Sequence, residues 1–140
     1  MYFISGFYKF KNIPGIKRNK EIIQAYFINK DIRGTIIISK EGINGTISAK
    51  RKILDEAVIK IKKTFKFSNF DSINLSKCRH QPFHRGKVKI KKEVVPMGVK
   101  ISKRKSKNHV DPTKWNKLIR DKYTFLLDAR KPFEYKIGTF

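Results

Sequence analysis

The sequence predicts an α+β fold: a ferredoxin-like, acylphosphatase-like split β-α-β sheet with an extra strand, followed by the opening of a second, incomplete α/β domain. Three observations predict it. Strand-length apolar runs and two stretches of helical period alternate as strand, helix, strand, returning hairpin strand, helix, strand, strand. Both helical stretches are amphipathic, so each needs a sheet face to cover. Apolar residues make up 39% of the chain, with eleven Phe and five Tyr, which is enough for a core despite the charge. With both helices on one face, the other sheet face stays open to a ligand.

Tyr2 to Phe10 is apolar at both parities, Phe3 and Phe7 against Ile4, Tyr8 and Phe10, and reads as a strand covered on both sides. A Pro14-Gly15 turn ends it. Ile22, Ile23, Tyr26 and Phe27 form a helical face whose first turn carries Lys17, Arg18, Lys20 and Glu21 and which closes near Asn29. Ile36-Ile37-Ile38 is too short for a helix and rich in branching at Cβ, so Gly34 to Ser39 reads as a central strand. In Glu41-Gly42-Ile43-Asn44-Gly45-Thr46, the Asn-Gly pair suits a type I′ turn, with Thr46 to Ala49 returning antiparallel. Ile53, Leu54, Ala57, Val58, Ile61 and Phe65 share one face of the clearest helix. Asp71 to Ser76 alternates Ile73 and Leu75 with Asn74 and Ser76 as a half-buried strand, and the last strand follows Pro82.

Residues 1–95 thus form the first domain. From Pro96 to His109 the apolar pattern fails and Lys100, Lys103, Arg104, Lys105 and Lys107 crowd together, a basic linker over 96–109. Residues 110–140 read as the start of the second domain. Asp111-Pro112 opens a short helix with Trp115, Leu118 and Ile119 on its apolar face, and Tyr123 to Asp128 reads as a buried strand. A further turn or helix begins at Pro132.

The formal net charge is +23, far beyond what solubility needs, and sixteen basic residues from Ser76 to Lys122 face only Glu93, Asp111 and Asp121. That clustering points to a polyanion. The focus is Gln81 to Val95: in a strand, Arg85, Lys87, Lys89 and Lys91 share one face at about 6.6 Å intervals while Val88 and Ile90 point to the other. Such a row can hold successive phosphates of an extended nucleic acid strand, or it can simply keep an edge strand soluble. Phe83 and His84, just before it, are candidates for stacking on an unpaired base, and Phe83 equally for the core.

Other sites are less sharp. Glu41, Asn44 and Gly45 form a candidate ligand turn beside an ordinary hairpin reading. Cys78, His80 and His84 have metal-ligand types but lie too far apart along a strand to close a tetrahedron, so no metal site is expected. The Lys11 to Arg18 connection, with Gly15 before a helix, could attract an anion as in an acyl phosphate hydrolase, but it lacks a glycine-rich cradle. A single cysteine suits a reducing cytosol, and neither an export leader nor a membrane span is expected.

Together these motifs resemble a family. Glu41 to Thr46, Gln81-Pro82-Phe83-His84-Arg85 with Lys87 to Glu93, Val110-Asp111-Pro112 with Trp115-Asn116, and Asp128-Ala129-Arg130 with Glu134 and Ile137 to Phe140 look like the rhodanese-like tRNA uridine hydroxylases. The resemblance implies an acylphosphatase-like N-terminal domain, then a rhodanese domain, and oxygen-dependent 5-hydroxylation of the wobble uridine of tRNA in the cytoplasm. It implies tRNA as partner, molecular oxygen as co-substrate with no cofactor held within this chain, and a rhodanese domain as packing partner. The family's catalytic cysteine belongs to a rhodanese loop beyond Phe140, so no catalytic residue is assigned here. The alternatives are an acyl phosphate hydrolase of the same fold and a non-catalytic interaction domain.

Overall fold

A computed structural model describes residues 1–95 and 110–139, which fall in two compact units. The basic segment expected over 96–109 lies outside the described residues. In the first unit the elements are β1 (Tyr2–Phe10), α1 (Ile16–Asn29), β2 (Arg33–Ser39), β3 (Gly42–Ala49), α2 (Arg51–Phe65), β4 (Ser72–Cys78) and β5 (Gly86–Ile90). The sheet order is β4-β1-β3-β2-β5. Every neighbouring pair is antiparallel except β2 with β5, which is parallel. This is the expected split β-α-β sheet, with β5 as the extra strand.

Both helices pack on one face, α1 against β5 and β2 and α2 against β1 and β3. Ile23 and Phe27 of α1 and Leu54, Ala57, Ile61 and Phe65 of α2 meet Phe7, Ile36, Ile38, Ile43, Ile47 and Val88 from alternate strand positions. Each fully buried Ile or Phe contributes about 1.5–3 kcal/mol relative to exposure.

Three expectations for the first unit need correction. β1 is not covered on both sides: Ser5 and Phe7 are buried under the helices, while Tyr2, Ile4, Tyr8 and Phe10 lie half-buried on the face without helices. The chain does not reverse at Asn44-Gly45, which sit inside β3; it reverses at Lys40-Glu41, between paired Ser39 and Gly42. Gly45 has a packing role instead, because a Cβ there would lie 2.9 Å from Ile36 Cγ1 and 3.0 Å from the Phe7 ring. Ile73 and Leu75 are about half exposed, at 49% and 50%, because β4 is an edge strand and α2 lies over β1 and β3.

The end of β1 is braced by Asp71. Its carboxylate accepts from Lys9 Nζ at 2.6 Å and from the Phe10 amide at 2.7 Å, while its own amide donates to the Tyr8 carbonyl at 3.0 Å. Burial alone would raise the Asp71 pKa, but the hydrogen bonds from Lys9 and Phe10 and the Lys9 charge outweigh it and hold the pKa below its ordinary value. Folding therefore favours the carboxylate, and its stabilisation is present above the unfolded pKa of about 4 and fades as pH falls through the lower folded one. With Asp71 about a third exposed, this amounts to less than about 1 kcal/mol. An Asp71→Ala chain is expected to exchange its Phe10 amide faster at neutral pH, and to lose less stability than the parent between about pH 5 and about pH 3. Amide hydrogen exchange and urea melts at the two pH values check this.

In the second unit, α3 (Pro112–Leu118) starts where expected, with Asp111 Oδ1 accepting from the Thr113 amide at 2.9 Å, and α4 spans Pro132–Ile137. Tyr123 to Asp128 is not a strand: no partner strand exists for it among the described residues, so its backbone has no ladder to join. None of the described residues 110–139 is buried, and Tyr123, Phe125, Leu127 and Ile137 are each at least 75% exposed. Asp128 is pulled down to about 2, first by the Arg130 guanidinium that it accepts from and then by the Arg130 amide.

Candidate nucleic-acid interface

β5 is seated by a pair of glycines. Gly34 of β2 pairs with Gly86, and the Gly34 amide donates to the Arg85 carbonyl at 3.0 Å. A Cβ on Gly86 would lie 2.3 Å from the Ile32 carbonyl oxygen and 3.1 Å from the Phe27 side chain, so only glycine lets α1 and β2 close around the start of the strand. At the other end the Lys91 amide donates to the Ile38 carbonyl at 2.9 Å. The ladder therefore extends past both ends of β5, and the backbone from Arg85 to Lys91 is fixed throughout.

The outward edge of β5 is closed by Gln24 of α1. Its Oε1 accepts from the Val88 amide at 2.8 Å and its Nε2 donates to the Gly86 carbonyl at 3.2 Å. The side-chain amide thus satisfies one backbone donor and one acceptor that an edge strand otherwise offers to another chain. This weakens the view that the lysines are there only to discourage edge pairing. Gln24 went unnoticed in the sequence because a polar residue beside a helix's apolar face has no distinctive pattern.

Val88 is buried against the helices, and Lys87 and Lys89 project to the open face, paired with Thr35 and Ile37 of β2. Arg85 and His84 instead line a cleft of about 250 Å³ at the C-terminal end of α1, together with Asp31, Arg33 and Phe27. Lys91 lines a separate hollow with Lys40, Lys92 and Ile16. So the structure brings Lys87 and Lys89 together and places Arg85 and Lys91 at the two ends of the same strand. Phe83 is half-buried in the connection from β4 to β5, which is held to the central strand by Gln81 Nε2 donating to the Ser48 carbonyl at 3.4 Å.

The residues of the candidate ligand turn separate. Glu41 is in the reversal, where its carboxylate accepts from the Val94 amide at 2.7 Å and so ties down the chain after β5. Asn44 points to the open face, paired with Tyr8 and Ile37, and Gly45 faces the core. The β1 to α1 connection offers little cradle for an anion: the Lys11 and Ile13 amides donate to the Glu41 and Lys40 carbonyls at 2.9 Å, and Ile13 is buried. Among the described residues no three His, Cys, Asp or Glu side chains gather as metal ligands, and no helix is long and apolar enough to cross a membrane.

On the open face, strand positions of β1, β2, β3 and β4 that pair with one another supply Tyr, Phe, Ile, Asn, Ser, Thr, Gly, Cys and Arg33, and β5 adds its two lysines. No strand position on this face is Asp or Glu. Arg33 on this face is paired with Asp31 at 2.9 Å, and Ser39 and Ser48 are fully buried. Among the described residues Lys87 and Lys89 have no acidic partner, beside Tyr8 and Phe10 on the same sheet face.

Residues 2–94 match the family model described as UPF0176 acylphosphatase like domain. A tRNA uridine(34) hydroxylase of Pelagibacter ubique (strain HTCC1062) is 59% identical over the whole of this chain and 47% of its own length. A tRNA uridine(34) hydroxylase of Bartonella quintana (strain Toulouse) is 45% identical over 79% of this chain and 37% of its own. The chain thus spans about half, or less, of the curated relatives it matches. Among solved structures, an acylphosphatase from Bacillus subtilis is 14% identical over 63% of this chain and 98% of its own, with a TM-score of 0.46. With the family model covering two thirds of its residues, the chain belongs to the family defined by the UPF0176 acylphosphatase-like domain.

Proposed function

We propose that this chain is the tRNA-gripping N-terminal part of a longer tRNA-modifying protein that works in the cytoplasm and hydroxylates the wobble uridine with molecular oxygen. The observation that carries this reading is β5, whose Lys87 and Lys89 are held at alternate positions on a sheet face where no strand position is Asp or Glu. The names of the relatives supply the substrate class. Residues 1–95 form the binding domain, 96–109 a basic linker, and 110–140 the opening of a rhodanese domain. The exposed apolar side chains of the second unit support that last assignment, since Phe125 at 87% and Leu127 at 75% exposure need a partner layer to cover them. The chain provides binding, with Arg85, Lys87, Lys89 and Lys91 on phosphates and Phe83 or His84 near a base, and the chemistry belongs to the rest of the rhodanese domain.

Binding through phosphates releases counterions, so affinity for tRNA is expected to fall linearly with salt on a logarithmic plot, with a slope of about −3 for four contacts. Filter binding of unmodified tRNA by the 140-residue chain across salt checks this. A flat salt series, or no binding at low salt, rules the reading out.

A further inference from the structure

We propose that the open sheet face holds one unstacked base of a single-stranded RNA segment against Tyr8 and Phe10, with Asn44 at the base's edge and Lys87 and Lys89 on neighbouring phosphates. The proposal rests on the tRNA-binding reading above and moves the base-holding role from the β4 to β5 connection to β1.

Tyr8 and Phe10 are two positions apart on β1, so both project from the face that has no helix. Their ring centroids are 5.9 Å apart and their planes 63° from parallel, which makes a corner of two rings. Other aromatic side chains of this unit are already engaged by cations: Lys50 Nζ lies 4.2 Å from the Tyr2 ring centre and Arg51 sits over Phe3. Among the described residues no cation sits over Tyr8 or Phe10. Among the described residues their aromatic contact is with each other, edge to face, an arrangement that a further π system can extend.

Beside Tyr8 on the same face is Gly6, where the missing side chain leaves a gap flanked by Asn74 and Thr46. Across β3, Asn44 pairs with Tyr8, and among the described residues its amide makes no hydrogen bond. An unengaged amide beside two rings can donate to and accept from a base edge. The same row continues through Ile37 to Lys89, which puts the Lys89 backbone about 14 Å from that of Tyr8, three strand spacings away and on the scale of the next nucleotides of an extended strand. Asp71 fixes the backbone at Tyr8 and Phe10, so the rings are pre-ordered before a ligand arrives.

The face fits RNA better than it fits a covering protein domain. A domain packed here would bury Lys87 and Lys89, whose own face carries no carboxylate to pair with them, and interface cores are depleted in charge. RNA meets both needs at once, since phosphates answer the lysines and bases answer the rings.

The test compares the 140-residue chain with a Tyr8→Leu/Phe10→Leu variant and a Gly6→Leu variant, each binding a single-stranded oligouridylate and an RNA duplex of equal length. A Cβ at Gly6 meets only Thr46 Oγ1 at 3.7 Å, an ordinary contact with no backbone atom in the way, and a urea melt of each variant checks that it folds as the parent does. Each variant is expected to lose roughly tenfold to a hundredfold in affinity for the single strand, with duplex binding and salt slope unchanged, and Tyr8→Phe to retain binding. Single-strand affinity unchanged in both variants, or an equal loss on the duplex, overturns the stacking site while leaving phosphate binding by β5 intact. Failure of the parent chain to bind either RNA overturns both.

Discussion

A Gly34→Ala chain is expected to lose more than about 3 kcal/mol of folding stability, a large share of the roughly 5–15 kcal/mol that a domain has. Gly34 has φ 119°, a backbone conformation that side chains disfavour at a cost of about 1–3 kcal/mol. Space is the harder limit. A Cβ there would lie 2.1 Å from the Thr46 carbonyl oxygen and 2.8 Å from Ile47 Cα, both backbone atoms of the adjacent central strand that no rotamer change can move aside. Relief requires β2 to separate from β3 or the Gly34 to Gly86 pairing to break, and the second releases the strand that carries Lys87 and Lys89. Urea melts of both chains check this, and RNA binding by any folded remainder is expected to fall with stability. A midpoint equal to the parent's would contradict the packing around Gly34.

The order of elements was readable because each depends on local pattern. Ile22, Ile23, Tyr26 and Phe27 repeat at helical spacing whatever they pack against, and Ile53 to Phe65 do so over nearly four turns. What failed depended on distant residues. Asn44-Gly45 has strong turn propensity, yet Gly45 is needed under Phe7 and Ile36, and tertiary packing prevails over a local preference of this size. In β1 both parities are apolar, so the sequence could not reveal that α1 and α2 lie on the same side and leave Tyr8 and Phe10 in the open. Tyr123 to Asp128 has strand composition, but a strand exists only with a neighbour to pair with. The site shows the same division. Alternation at Lys87, Val88 and Lys89 was visible directly, whereas Gln24 and Asn44 become functional candidates only through contacts and register across the sheet.

Replacing Arg85, Lys87, Lys89 and Lys91 together with Ser is expected to weaken tRNA binding by roughly a thousandfold at about 0.1 M salt and to make the salt slope shallower by about 3, since each phosphate contact contributes about 0.7 to 0.9 to that slope. The fold is expected to survive, because Val88 supplies the buried contact of β5 and Gln24 and the β2 ladder hold its backbone. A chain with a net charge of +23 will bind polyanions to some degree through any part of its surface, so the decisive control removes the same charge elsewhere. Lys17, Arg18, Lys52 and Lys63 are exposed on the two helices, across the sheet from Lys87 and Lys89, and their replacement by Ser lowers net charge equally. At a screening length of about 10 Å the helical cations contribute little to phosphates lying on the other face. The control is therefore expected to stay within about threefold of the parent. If the two sets of four instead weaken tRNA binding equally, the charge is a diffuse property of the chain and β5 has no special part in it. Among single changes, Lys87→Ser and Lys89→Ser are expected to cost more than Lys91→Ser, because the register sets those two side by side on the face that also carries Tyr8 and Asn44.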